Sequence, residues 1–290
     1  MNSHTALDWL KLPPVIPNEQ MRQAALQRQA QLTKPPGALG HLEQIAVQLT
    51  ALQDTLQPGA DQVQISIFAA DHGIAAENIS AFPQVVTSEM IKNFAAGGAA
   101  INVLARVLDA QLEIINLGTV HSTDTLTAVR HYHLGAGTAN FLHSAAMSES
   151  QLAAALKAGR TSAEQARENK QQLLIAGEMG IGNTTSATAL ACLLLHAPPA
   201  QLAGAGSGLD SNGVAHKISV IERALAFHHM HVHSPLEALR RVGGFEIAAL
   251  TGAYIRGAQL GLPLLIDGFI SSVAALAAEQ ISVGSRKWFI

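Results

Sequence analysis

The chain has 290 residues, of which 48% are hydrophobic and only 13% charged, a composition typical of a compact α/β enzyme rather than a disordered or fibrous chain. Its net charge of −3 gives no indication of the basic face that a nucleic-acid-binding protein needs. The single cysteine, Cys192, excludes an intrachain disulfide and a cysteine-based zinc site, and its apolar helical surroundings predict a buried, unreactive thiol.

Targeting signals are not evident in the sequence. The first residues lack the basic and apolar regions of a secretory signal peptide. The longest apolar run, over residues 187–195, is too short to span a bilayer. We therefore expect a cytoplasmic protein that binds neither membranes nor nucleic acids.

Residues 1–60 predict an N-terminal helical segment. Asn18 is placed to cap a helix over residues 20–32, whose thin apolar stripe indicates packing against another part of the protein or another subunit. The proline-containing turn at residues 34–40 prevents this helix from fusing with the next one. In that second helix, hydrophobic residues recur at helical spacing from Leu39 to Leu52.

Residues 61–280 alternate strand-like and helix-like patterns. This alternation predicts an α/β domain with a mostly parallel, Rossmann-like sheet flanked by helices. The strands are expected over residues 63–70, 112–117, 173–176, 201–205 and 262–266. The helices are expected over residues 87–108 (interrupted at Gly97 and Gly98), 152–172, 186–196, 213–227, 245–260 and 269–279.

Two glycine-rich loops follow predicted strands, at residues 177–185 and 204–210. Ligands of parallel sheets bind at the carboxyl ends of strands, and the first N–H groups of a helix attract anions. The two loops therefore predict a phosphate and ribose site, although a purely structural turn is the alternative and no Walker or GxGxxG pattern is present. The candidate ligands are Gly180, Gly182, Asn183, Thr184, Thr185, Gly206, Ser207, Gly208 and Asp210.

Glu178 lies at the entrance to the first glycine-rich loop. A carboxylate beside a phosphate site is electrostatically unfavourable unless it binds a hydroxyl or accepts a proton. Glu178 is therefore the candidate catalytic residue, with a structural or ribose-hydroxyl hydrogen bond as the alternative. Asp71 and His72 end the first strand, where a turn and helix-capping role is the simpler interpretation.

Histidines crowd two short segments of the chain. One contains His228, His229, His231 and His233, and the other contains His131 and His133. Closely spaced histidines can bind metals, but no cysteine lies nearby and the larger cluster falls between two helical patterns. We expect an exposed, solvated tract and no metal site.

Nine segments in order make the chain resemble the nicotinate-nucleotide–dimethylbenzimidazole phosphoribosyltransferase family of cobalamin nucleotide-loop enzymes. They include the two glycine-rich loops and a loop with an aromatic ring and two polar side chains, of the kind that lines a planar apolar pocket. The segments are residues 34–43, 70–74, 80–84, 93–102, 137–141, 177–185, 206–210, 243–248 and 267–270.

The resemblance implies a reaction and a division of the site. Members transfer the 5-phosphoribosyl group of nicotinate mononucleotide to 5,6-dimethylbenzimidazole, which gives α-ribazole 5′-phosphate and nicotinate. They need no metal or redox cofactor, form homodimers, and carry a small helical subdomain to which residues 1–60 would contribute. The base would lie against Ser80, Phe82, Gln84 and Met179.

The chain departs from this family at its C-terminus. Members carry a general-base Glu in a Gly-Glu-Gly motif near the C-terminus, and that motif is absent from these residues. Residues 281–290 match nothing in the family pattern, which predicts an atypical tail from a frameshift or truncation. We therefore expect little or no activity, with a non-catalytic nucleotide- or base-binding protein as the alternative. The lack of a GxGxxG motif disfavours a dinucleotide-dependent oxidoreductase.

Overall fold

The computed structural model describes residues 6–290, so residues 1–5 of the predicted helical segment 1–60 lie outside the described part. A 3-10 turn at Asp8–Lys11 precedes helices α1 (Glu19–Gln31) and α2 (His41–Gln53). Asn18 caps α1 as predicted, because its side chain accepts hydrogen bonds from two N–H groups of the first turn. The apolar stripe of α2 is buried only in its second half, whereas Leu39 and Leu42 are exposed.

Five parallel strands form the sheet, in the order β3-β2-β1-β4-β5. This arrangement confirms the predicted α/β fold with a parallel sheet. The strands are β1 (Val63–Ala70), β2 (Gln111–Gly118), β3 (Val129–His131), β4 (Leu173–Met179) and β5 (Leu264–Leu265). The short edge strand β3 carries too little pattern to be recognised in the sequence.

Nine further helices flank or precede these strands in residues 6–290. They are α3 (Val85–Ala95), α4 (Ala100–Val107), α5 (Glu149–Glu168), α6 (Asn183–Leu195), α7 (Pro199–Leu202), α8 (Ser211–His228), α9 (Pro235–Val242), α10 (Phe245–Leu260) and α11 (Phe269–Ile281). The predicted strand over residues 201–205 is wrong. A proline at the start of α7 favours one helical turn there, and the chain then continues without regular structure.

Both faces of the sheet are covered. All eight residues of β1 are buried; Phe68 and Ala70 belong to the core on one face, and Ile65 and Ile67 to the core on the other. Burial on both faces explains why six of the eight residues of β1 are apolar. On the first face α5 and α10 pack backbone against backbone, since a Cβ on Gly159 would lie only 1.7 Å from the carbonyl oxygen of Ala249.

Residues 281–290, predicted as an atypical tail, pack against the rest of the fold. The indole of Trp288 is buried and donates its Nε1–H to the carbonyl oxygen of Val15 at 2.7 Å. The N–H of Ile290 donates to the carbonyl oxygen of Leu264, and Ile290 accepts from the N–H of Ile266. The last residues thus extend the edge of the sheet beside β5.

Candidate active site

Polar side chains meet at the carboxyl ends of β1 and β4. Asp71 and His72 follow β1 and are fully buried. One carboxylate oxygen of Asp71 accepts from the N–H of Val120 at 2.9 Å, while burial raises the pKa of this carboxyl above its ordinary value. These residues are more than the turn and capping pair that the sequence suggested. His72 forms hydrogen bonds to side chains on two helices that are far from it in the sequence.

His72 joins the starts of α6 and α10. Its Nδ1 lies 2.9 Å from Ser186 Oγ, and its Nε2 lies 2.6 Å from Glu246 Oε1. All three side chains have no exposed surface. Burial alone would lower the pKa of His72, but the nearby carboxylates, Glu246 foremost, outweigh it and raise the pKa. The sequence gives no local sign of this contact, since its partners are far apart along the chain.

Glu178, the predicted catalytic residue, is the penultimate residue of β4 and is half-buried. It accepts a hydrogen bond from the side-chain amide of Asn183. Burial, and secondarily the negative charge of Glu246, raise the pKa of Glu178 from 4.5 to about 7. A carboxyl group that titrates near neutral pH is suited to accept a proton.

The first glycine-rich loop turns tightly into α6. Gly182 adopts a φ of 98°, a left-handed conformation that favours glycine. The N–H groups of Asn183 and Thr185 are not directed at an anion, because they donate within the turn to the carbonyl oxygens of Gly180 and Gly182. Thr185 faces the core, while Thr184 remains partly exposed at the edge of the site.

Lys217 is the main site residue that the sequence analysis did not identify. It lies on α8 with only 1% of its surface exposed, and burial lowers its pKa. Its Nζ donates to Thr184 Oγ1 at 3.2 Å and to the carbonyl oxygen of Gly204 at 3.3 Å. Within residues 6–290 no carboxylate forms an ion pair with Lys217. This buried cation therefore links the two glycine-rich loops. An anion bound beside it would neutralise its charge.

The remaining predicted residues lie around the second loop. Gly206, Ser207, Gly208 and Asp210 are exposed, and Asp210 caps α8 by accepting from the N–H of Gly213 at 2.7 Å. Ser207 Oγ lies 3.0 Å from Ser80 Oγ, so the predicted base loop and phosphate loop are in contact.

The other three residues of the predicted base pocket have different surroundings. Phe82 is half-exposed, as expected for a ring that borders an open site. The Gln84 side-chain amide instead donates to the carbonyl oxygen of His72 at 2.7 Å, so this residue braces the end of β1. Met179, the last residue of β4, is partly buried against the core.

Comparison with known proteins identifies the family. A family model described as phosphoribosyltransferase, DBI_PRT, matches residues 15–290. The chain belongs to this phosphoribosyltransferase family. The match includes residues 281–290, so the segment predicted as an atypical tail lies inside the region that is similar to the family.

Curated and solved relatives of this transferase agree with the family match. The chain is 56% identical to nicotinate-nucleotide–dimethylbenzimidazole phosphoribosyltransferase of Xanthomonas axonopodis pv. citri (strain 306), over 98% of this chain and 81% of that protein. It is 52% identical to the Pseudomonas aeruginosa (strain LESB58) protein of the same name, over the same shares. The crystal structure of CobT from Thermus thermophilus matches with a TM-score of 0.88 and 40% identity, over 93% of this chain and 81% of that one.

The histidine tract of the transferase is only partly exposed. His229, His231 and His233 are exposed as predicted, but His228 is fully buried and donates its Nε2–H to the carbonyl oxygen of Phe141 at 2.7 Å. The prediction was wrong for His228 because α8 continues through this residue, which faces inward. In residues 6–290 no cluster of three or more His, Cys, Asp or Glu side chains has the arrangement of a metal site.

Two further observations concern the transferase as a whole. Cys192 is buried, as predicted, and burial raises the pKa of its thiol to about 11, which disfavours the reactive thiolate. Across the described residues, no helix has both the length and the apolar character needed to cross a membrane.

Proposed function

We propose that this transferase moves the 5-phosphoribosyl group of nicotinate mononucleotide to 5,6-dimethylbenzimidazole for cobalamin nucleotide-loop assembly. The proposal rests on one observation: two consecutive residues at the start of α6 form hydrogen bonds to the ammonium group of Lys217 and to the carboxyl group of Glu178. Thr184 accepts from Lys217, and Asn183 donates to Glu178. An anionic phosphate and a proton-releasing base are what such a pair of neighbouring groups can bind.

Lys217 and the two glycine-rich loops hold the phosphate in this proposal. A buried ammonium without an ion-pair partner is unfavourable in the empty site, and a phosphate would neutralise it. Thr184 and Gly206 lie beside the Lys217 ammonium, so a hydroxyl and a backbone group are available to the phosphoribosyl moiety there. Ser207 belongs to the same loop as Gly206, and its hydroxyl contacts Ser80. Holding the phosphate fixes the anomeric carbon relative to the incoming base.

Glu178 accepts the proton that the reaction releases. One ring nitrogen of dimethylbenzimidazole forms a bond to the anomeric carbon, and the bond from that carbon to the nicotinate nitrogen breaks. The electron pair of the broken bond neutralises the positively charged pyridinium ring, so nicotinate is a good leaving group. The second benzimidazole nitrogen then loses its proton to Glu178, whose raised pKa suits this transfer. Phe82, Ser80 and Met179 border the space for the base.

A homodimer and a cytoplasmic location belong to the same proposal. Helix α4 presents an exposed apolar face formed by Val103, Leu104 and Val107, with Leu108 following it. Such a face is unusual on a monomer and suits a second copy of the chain. The buried free thiol of Cys192 fits a reducing compartment.

The dimer interface makes a testable prediction. Replacing Val107, which is 76% exposed, by glutamate places a charge on this apolar face without disturbing the core. We expect light scattering to give twice the 30.4 kDa mass of one chain for the wild type and a single-chain mass for Val107→Glu. The control variant Leu195→Glu, at an exposed residue outside this face, should leave the dimer intact. A monomeric wild type would contradict the prediction.

Product formation tests the proposed reaction. Purified protein is mixed with nicotinate mononucleotide and dimethylbenzimidazole, and α-ribazole 5′-phosphate is measured by liquid chromatography. We expect product from the wild type, and its absence at saturating substrate would contradict the proposed reaction. Calorimetric binding of nicotinate mononucleotide without any product would instead support the non-catalytic alternative.

A further inference from the structure

The buried His72–Glu246 contact supports the first glycine-rich loop directly. A Cβ built on Gly180 would lie 3.2 Å from His72 Nε2, and one built on Gly182 would lie 3.3 Å from His72 Cβ. On the other side, a Cβ on Gly244 would lie 2.3 Å from His72 Cε1. The imidazole is therefore enclosed by glycines, two of which belong to the loop that precedes α6.

The same ring also holds the first turn of α6. Ser186, which contacts Nδ1, lies on the turn that carries Asn183 and Thr184. Those two residues contact Glu178 and Lys217, respectively. A displacement of the imidazole would therefore move the loop glycines and the helix start together, and with them both groups of the proposed site.

Charge explains why the contact is a histidine–glutamate pair. Glu246 is fully buried, and its Oε2 has no hydrogen-bond partner, so an isolated carboxylate there would be strongly disfavoured. An imidazolium provides the compensating charge, and the raised pKa of His72 agrees with it. The other ionisable groups that act on this histidine are Asp71 and Glu178, both acidic.

We propose that His72 and Glu246 form a positioning pair of the transferase site, an ion pair that holds residues 177–186 in register for phosphoribosyl transfer. This role rests on the proposed function. Neither side chain has exposed surface, so the pair acts through Glu178 and Thr184 rather than by touching the substrate.

The pair also influences the titration of Glu178. Glu246 raises the pKa of Glu178 and does so more strongly than His72 lowers it. The Asn183 amide also lowers this pKa, and the negative charge of Glu178 in turn raises the pKa of the buried Tyr254 hydroxyl. Converting Glu246 to the neutral glutamine should therefore lower the pKa of Glu178 and move the acidic limb of the kcat/KM profile to lower pH.

The variant Glu246→Gln tests the positioning role, because glutamine keeps the shape and one hydrogen-bond acceptor but removes the charge. We expect kcat/KM to fall about 100-fold, as for a small misplacement of reacting groups, and its acidic limb to shift downward. His228→Gln is the matched control, since within residues 6–290 His228 is the other fully buried histidine, and it donates to a fixed acceptor. The control should lose thermal stability while keeping the wild-type acidic limb and KM.

Hydrogen exchange separates this proposal from the proposed reaction, since it requires no turnover. Amide exchange in residues 177–186 should be about tenfold faster in Glu246→Gln than in the wild type, and unchanged in His228→Gln. If the wild type formed no product, the proposed reaction would be contradicted, but the exchange rates of the wild type and Glu246→Gln could still be compared. Equal exchange in the wild type and Glu246→Gln would overturn the positioning role, whatever the activity.

A double variant tests the ion pair by a second measurement, the melting temperature. His72→Gln leaves Glu246 buried without a cation, which is more damaging than replacing both members of a buried pair. The double variant His72→Gln/Glu246→Gln should therefore melt at a higher temperature than His72→Gln alone. A double variant less stable than His72→Gln would contradict the ion pair.

Discussion

Replacing Glu178 by glutamine is expected to lower kcat by about 100-fold to 10,000-fold, the usual contribution of a positioned proton acceptor. The substitution keeps a hydrogen-bonding partner for Asn183 but removes the group that accepts the benzimidazole proton. Steady-state kinetics of α-ribazole 5′-phosphate formation measure the effect. KM for nicotinate mononucleotide should change little, because the phosphate is held by other residues.

The same substitution should stabilise the fold at high pH. The pKa of Glu178 is raised from 4.5 to about 7, so the folded state holds this proton more tightly than the unfolded state. Stability is therefore lost as pH rises from about 4.5 through 7, by about 1 to 3 kcal/mol in total. Glu178→Gln escapes this loss, and its melting temperature should exceed that of the wild type by more at pH 8 than at pH 5.

Glu113 offers a matched control for these two effects. It is also a half-buried carboxylate next to β1, where it accepts from Ser66 Oγ at 2.7 Å and pairs with Arg130 at 3.1 Å. Because Glu113→Gln breaks satisfied contacts outside the site, it should destabilise the protein and leave kcat unchanged. Equal kcat values for Glu178→Gln and the wild type would contradict the role of Glu178.

Replacing Lys217 by methionine is expected to weaken binding of nicotinate mononucleotide by about 100-fold, within the range for removing one partner of a buried charge pair. Methionine fills a similar volume but cannot neutralise the phosphate. The fold should keep its melting temperature or gain a few degrees, since the empty enzyme no longer buries an unpaired ammonium. Isothermal calorimetry and thermal melts measure the two effects.

Lys92 is the control for the change in net charge. It is half-exposed on α3 and pairs with Glu89 at 2.8 Å. Lys92→Met removes the same charge from the molecule but should leave nucleotide affinity within about twofold, since exposed pairs contribute little. A dissociation constant for Lys217→Met equal to that of the wild type would show that the phosphate binds elsewhere.

The longer elements of the fold were predictable because their apolar pattern and length are distinctive. The eight buried residues of β1 fit a strand, and the long apolar stretch of α10 is too long for one. The predicted interruption of the helical pattern over residues 87–108 is confirmed: α3 and α4 are separate helices, and Gly97 adopts a φ of 77° between them. Short elements such as β3 and α7 were not predicted, because a segment of four or fewer residues is too short to show a periodic pattern.

Only the part of the candidate site that lies in local sequence motifs was predicted. Glycine-rich turns and the adjacent Glu178 can be recognised because strand, turn and helix follow one another in the sequence. Lys217 and Glu246 could not be assigned a role in this way, since each meets its partner through the packing of helices far apart in the chain. The order of the strands, which places β1 beside β4, brings His72 next to the first glycine-rich loop.

The measurement that tests the account most directly is formation of α-ribazole 5′-phosphate from nicotinate mononucleotide and dimethylbenzimidazole by three proteins: the wild type, Glu178→Gln and Lys217→Met. The account predicts product from the wild type, a fall in kcat for the first variant and a rise in the KM for nicotinate mononucleotide for the second. Wild-type kcat and KM in both variants, or no product from the wild type at saturating substrate, would contradict a transfer site built at the start of α6.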